Sequence, residues 1–133
     1  MKVGPACLPC MIHRAYREVC HATRDPELRM KVMVEVLKLL AREFKPEILI
    51  SNGGSDPHFM DMLGSLLITA RGFYNITRFL TGLADELCDG RYVLMPGSGY
   101  NPSVLPRCWY ALVAGAMRLG PEGTEEPEKP PEE

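Results

Sequence analysis

From residue 47 onward the hydrophobic pattern changes period three times, and that alternation constrains the fold more than any other feature. Glu47-Ile48-Leu49-Ile50-Ser51 sets apolar, partly β-branched residues side by side, as a buried parallel strand requires. Asn52-Gly53-Gly54 stops the run, and after a loop Thr69 caps a helix whose Phe73, Ile76, Leu80, Leu83 and Leu87 recur at helical spacing. Asp89-Gly90 ends that helix, and Arg91-Tyr92-Val93-Leu94-Met95 reads as a second buried strand, halted by Pro96-Gly97-Ser98-Gly99. A last helix opens with Pro102 in its first turn and carries Leu105, Cys108, Leu112, Gly115 and Leu119 along one side. Strand, helix, strand, helix predicts an α/β unit with a short parallel sheet and a crossover connection.

Ahead of this unit the pattern is purely helical. Leu8, Met11, Ala15, Val19 and Ala22 mark a short first helix. Asp25-Pro26-Glu27 starts a second, which ends near Phe44 and carries Leu28, Val32, Met33, Val36, Leu37 and Leu40 as a broad stripe. The expected organisation is a helical hairpin over residues 1–44, an α/β segment over 45–119 and an acidic tail over 120–133. That tail, PEGTEEPEKPPEE, has no large apolar residue to offset its ordering entropy and is expected to be disordered.

Composition excludes some functions. With 133 residues and a net charge of −2, the chain has no basic excess to draw it onto nucleic acid. It also has no apolar run long enough to cross a bilayer, and its first residues lack a long apolar signal region. The 5 cysteines cannot all pair within one chain, so a reducing, cytoplasmic setting is expected. Asn75-Ile76-Thr77 then counts as a chance glycosylation sequon inside a helix.

In a parallel sheet, ligands gather where loops leave the carboxyl ends of the strands. Two such loops stand out, Ser51 to Asp61 and Met95 to Pro102, and adjacent strands would bring Asp56 and His58 near Tyr100. An Asp beside a His suggests a metal site, and a Tyr on a glycine-rich loop suggests a donor to a developing oxyanion. The residue types also allow a plainer reading, with Asp56 capping a turn and Tyr100 packing over its loop.

Residues 44–119 resemble the final third of the histone deacetylase and acetylpolyamine amidohydrolase family. The resemblance rests on the Ser-Asn-Gly-Gly-Ser-Asp loop, the Leu63-Gly64 pair, Leu80-Thr81, the second strand and the Gly97-Ser98-Gly99-Tyr100 loop, all in family order. It implies a partial arginase- and deacetylase-like fold. By the same resemblance, Asp56 is a ligand of the catalytic zinc, Tyr100 hydrogen-bonds the acetamide oxygen, and Gly97, Ser98 and Gly99 form the glycine-rich loop before it. His58 corresponds to a companion residue of the aspartate loop. The departures are Met62 where many relatives have proline and Ser98 where glycine is usual. The family's paired catalytic histidines and Asp-x-His zinc ligands lie upstream of the resembling region, whereas this chain has only His13, His21 and His58. A catalytic zinc takes three protein ligands and a water, so the chain alone is expected to be inactive.

Residues 1–44 resemble the opening helices of the damage-control metal-dependent phosphatases through Cys7-Leu8-Pro9-Cys10, without that family's later acidic residues. Cys7, Cys10 and His13 lie three residues apart and could bind a soft metal, but small cysteines packing a helix pair is the favoured reading because no second Cys-x-x-Cys follows. The chain thus reads as a natural fusion, a gene remnant or a mispredicted reading frame. Two functional readings follow. One is a truncated zinc amidohydrolase segment that takes an acetylated lysine or acetylpolyamine only when another polypeptide completes it. The other is a non-catalytic module that associates with another chain, or with its own copies, through unpaired strand edges.

Overall fold

The computed structural model of the chain describes residues 26–64 and 66–127. The predicted first helix, Cys7, Cys10, Cys20, His13 and His21 lie outside the described residues. The chain divides into two compact units, residues 1–46 and 47–133.

In the first unit, helix α1 spans Pro26–Phe44, matching the expectation from Pro26 and from the end of the apolar stripe. It closes where Lys45 turns to a φ of 52° and returns its N–H to the Ala41 carbonyl at 2.9 Å. A Glu35–Lys38 pair at 2.8 Å lies along its surface.

The second unit runs β1 (Leu49–Gly53), α2 (Ala70–Cys88), β2 (Tyr92–Pro96) and α3 (Leu105–Ala116). The two strands pair in parallel, with Leu49 opposite Tyr92 and Gly53 opposite Pro96. The α/β class and short parallel sheet are therefore as expected. Both strands sit one or two residues later than the apolar runs suggested, because the ladder continues into Asn52-Gly53 and Pro96. Tyr92 helps to fix the register, its hydroxyl lying 2.7 Å from Ser51 Oγ across the sheet.

Helix α2 is bounded as its sequence predicts. Thr69 accepts from the Gly72 N–H at 3.1 Å, and Asp89 (φ 54°) and Gly90 (φ 73°) make the left-handed stop. Helix α3 differs. Pro102 belongs to a turn built on Asn101, whose carbonyl accepts from Val104 and Leu105 and whose Oδ1 accepts from Ser103. The helix begins only at Leu105, so Pro106 occupies the first turn instead.

The core forms where α2 and α3 cross. Phe73 and Tyr74 from α2 meet Cys108, Ala111, Leu112 and Ala114 from α3, with Leu94 of β2 packed against them. Cys88 and Cys108 are both buried, free thiols. Close approach of the helices depends on Gly115, where a Cβ would run into Thr77 Oγ1 and the Tyr74 carbonyl oxygen. Thr77 turns its hydroxyl inward to the Phe73 and Tyr74 carbonyls, each at 3.2 Å, so it needs no partner across the interface.

Two expectations need correction. The strands were read as buried on both faces, but Ile50 (57% exposed), Val93 (40%) and Met95 (51%) face outward. Both helices lie on the Ser51 and Leu94 side, so one crossover covers a single face of the pair. The expectation of disorder also fails for residues 121–127. Thr124 is buried, and Glu126 contacts Ala70 and Arg107. This segment is held by polar contacts, which a lack of large apolar residues does not preclude. Residues 128–133 lie outside the described residues.

Gly115→Ala should destabilise the second unit by about 1–3 kcal/mol, the usual cost of forcing a methyl into a filled interface. Urea unfolding measures this; an unchanged midpoint would show that the crossing is looser than described.

Candidate functional site

The parallel pairing delivers both glycine-rich loops to the same end of the sheet. Gly97 donates to the Gly53 carbonyl at 3.1 Å, extending the ladder by one bond. Ser55 then donates to the Ser98 carbonyl at 3.1 Å, and Ser98 Oγ donates to Asp56 Oδ1 at 2.9 Å. Gly99 has a φ of 124° and lies against Ser55, where a side chain would strike Ser55 Oγ. Asp56, Gly97, Ser98 and Gly99 therefore come together as one loop pair. Ser98, a mild departure from the family pattern, makes a side-chain to side-chain bond between the two loops.

Tyr100 follows on the same loop, and its side chain is exposed. What fixes it is its backbone. The Tyr100 and Asn101 N–H groups donate to Asp61 Oδ2 at 2.8 and 3.2 Å, and the Leu63 N–H donates to Asp61 Oδ1 at 3.0 Å. These amides, Leu63 first and then Tyr100, hold the Asp61 carboxyl below its ordinary range against the opposing effect of burial. Asn101 adds a bond from Nδ2 to the Met60 carbonyl at 2.8 Å.

Asp61 was passed over in the sequence, where it stands merely as the last residue of the first loop. The available signal was a carboxylate two residues before Leu63-Gly64, the spacing of an Asx turn.

Beside the loop pair lies a cleft of about 340 Å³. Asp56, Ser98 and Gly54 form its polar rim, and Phe73, Ile76 and Leu112 are among its apolar walls. Tyr100 does not line it. His58 is fully buried, with Nδ1 accepting from the Met60 N–H at 3.1 Å and Nε2 lying 3.2 Å from Glu126 Oε1. Both ring nitrogens are thus engaged within the protein.

Among the described residues no three His, Cys, Asp or Glu side chains converge as a metal site. The described residues do not by themselves fit a catalytic zinc, which needs three protein ligands. No described helix is long and apolar enough to cross a membrane.

Comparison with known proteins decides the family, because the sequence pattern of the Histone deacetylase domain matches residues 18–116. The chain belongs to the histone deacetylase domain family. The matched range starts well before residue 44, so it takes in all of α1 and part of the segment grouped by resemblance with the phosphatases. A probable deacetylase of Archaeoglobus fulgidus is 33% identical over 100 residues, which cover 74% of this chain and 28% of that protein. The acetoin utilization protein AcuC of Staphylococcus aureus is 32% identical over 99 residues, covering 71% of this chain and 25% of the relative. Histone deacetylase 14, chloroplastic, of Arabidopsis thaliana is 36% identical over 70 residues, 53% of this chain and 16% of its own length. The chain spans about a quarter of the length of the first two deacetylase-family relatives.

The Asp61 carboxylate makes the pairing of the loops sensitive to acid. Its folded form titrates below the ordinary value of 3.8, so its contribution is whole above that pH and is lost as pH falls through the folded value. Asp61→Asn should remove the charge at every pH and speed amide hydrogen exchange at Tyr100 and Asn101 by about tenfold, as expected for weakening a charge-assisted bond. Unchanged protection of both amides at neutral pH would contradict this role.

Proposed function

We propose that this chain is a deacetylase-like segment that contributes the Asp56 and Tyr100 loops to a zinc amidohydrolase site completed by another polypeptide. The observation that carries the reading is the joining of the two family loops through Ser55, Asp56, Asp61 and Ser98 at one end of a parallel strand pair. In this reading residues 45–119 supply the site.

The roles are those that the family resemblance implies. The Asp56 carboxylate would be one ligand of a zinc completed by the other polypeptide, which would supply Lewis-acid chemistry, and the Tyr100 phenol would hydrogen-bond the carbonyl oxygen. Gly97, Ser98 and Gly99 would hold that phenol in position. Asp56 is the only zinc ligand that the resemblance assigns, so the chain alone is proposed to be inactive. The substrate class is an acetylated lysine or an acetylpolyamine, and the buried free thiols of Cys88 and Cys108 suit a reducing, cytoplasmic setting.

The outward face of Ile50, Val93 and Met95 supports a completing partner, since a parallel sheet is stable when both faces are covered. The same face supports the second reading, a non-catalytic module that associates with its own copies or with another chain.

Mixing the chain with the upstream part of a homologous deacetylase separates the two. The expected result is zinc-dependent hydrolysis of an acetyl-lysine peptide, absent from either piece alone and reduced about a hundredfold or more in Tyr100→Phe. No activity in any mixture, with the chain folded, would favour the non-catalytic module.

A further inference from the structure

Helix α2 opens with Ala70-Arg71-Gly72 and has no acidic residue in its first turn, although its amino end carries unpaired N–H groups and partial positive charge. Thr69 satisfies the Gly72 N–H. The Ala70 N–H is met from far along the chain, by Glu126 Oε1 at 2.5 Å. Arg107 lies 3.5 Å from the other Glu126 oxygen, and Arg71 pairs with the neighbouring Glu125 at 3.7 Å. The acidic segment therefore supplies the charge that α2 lacks.

The oxygen that caps α2 also faces His58 Nε2 at 3.2 Å. Because the Met60 N–H points at Nδ1, that nitrogen presents a lone pair, and the ring proton sits on Nε2, donated to Glu126. The ring stacks against Phe59, with centroids 4.5 Å apart, and lies nearly parallel to Phe73 at 6.4 Å. Its backbone closes the loop on both sides, the His58 N–H bonding to the Ser55 carbonyl at 3.0 Å and its carbonyl accepting from Asp61 at 2.9 Å. His58 thus braces, through its backbone and its ring, the loop that carries both Asp56 and Asp61.

We propose that Glu126 is a positioning residue which, through the Nε2–H of His58, fixes the 55–61 loop against the amino end of α2, making the acidic segment part of the frame of the site. This concerns the geometry of the loop and stands whether or not Asp56 meets a metal.

The test uses the full chain, with ¹⁵N NMR of the imidazoles at neutral pH and amide hydrogen exchange. His58 signals are identified by their absence in His58→Gln. The unaltered chain should show His58 as the neutral tautomer protonated at Nε2, with that proton slow to exchange. Glu126→Ala should speed exchange of the Nε2 proton and of the Ala70 amide by about tenfold or more, while Thr77 in the middle of α2 keeps its protection. Glu126→Gln retains an acceptor oxygen and should keep the tautomer and restore most of the protection. A His58 protonated at Nδ1 in the unaltered chain would overturn the proposal, even if Glu126→Ala does not fold. So would unchanged Ala70 protection in Glu126→Ala, or a Glu126→Gln chain that folds yet behaves as the alanine variant.

Discussion

The parallel pairing of β1 with β2 is the constraint on which the rest of the second unit depends. A parallel pair cannot be joined by a tight turn, so the chain must leave the sheet, run through α2 and return. That return sets the ends of both strands side by side and delivers the Asp56 and Tyr100 loops to one place. Helix α3, crossing α2 at Gly115, then covers the inner face and gives the strands a core to rest on. Little of the loop geometry needs apolar burial, because carboxylates and hydroxyls bonded to backbone N–H and carbonyl groups hold it.

Two carboxylates do comparable work from different directions. Asp61 gathers the amides of Leu63, Tyr100 and Asn101 and so ties the second loop to the first. Glu126 gathers the amide of Ala70, the imidazole of His58 and the guanidinium of Arg107. Each exploits the fact that an ionised carboxylate accepts several bonds at once and that such bonds are stronger than neutral ones. Asp56 has less of this support, with Ser98 Oγ as its recorded side-chain partner, and it stands at the rim of the cleft.

Local periodicity made most of the fold legible. The 3.6-residue repeat from Phe73 to Leu87, the Thr69 cap and the Asp89-Gly90 stop define α2 as observed, and the two apolar runs locate both strands within two residues. The sequence could not show that one face of those strands stays exposed, because a contiguous apolar run describes the strand's chemistry and carries no record of what covers it. Pro102 misled because proline suits a turn as well as a first helical turn, and the Asn101 side chain settled which it would be. Asp61 and Glu126 escaped notice for a related reason. Their distant partners, Tyr100 and Ala70, lie 39 and 56 residues away, so the sequence near either carboxylate does not show what it joins, and the Leu63 spacing at Asp61 marks only a local turn. The two loops were legible, since each follows a strand that the apolar runs locate.

Membership of the histone deacetylase domain family agrees with this architecture, and the short coverage of its relatives agrees with a strand pair whose outer face is open. The central claim is that the two loops are one structural object. Nuclear Overhauser contacts between the Ser55-Asp56 and Ser98-Gly99 protons measure it directly in solution. The account predicts strong contacts between these pairs, together with those across the α2 and α3 crossing. Helix contacts without any between the loops would show that the strands do not deliver them to a common site.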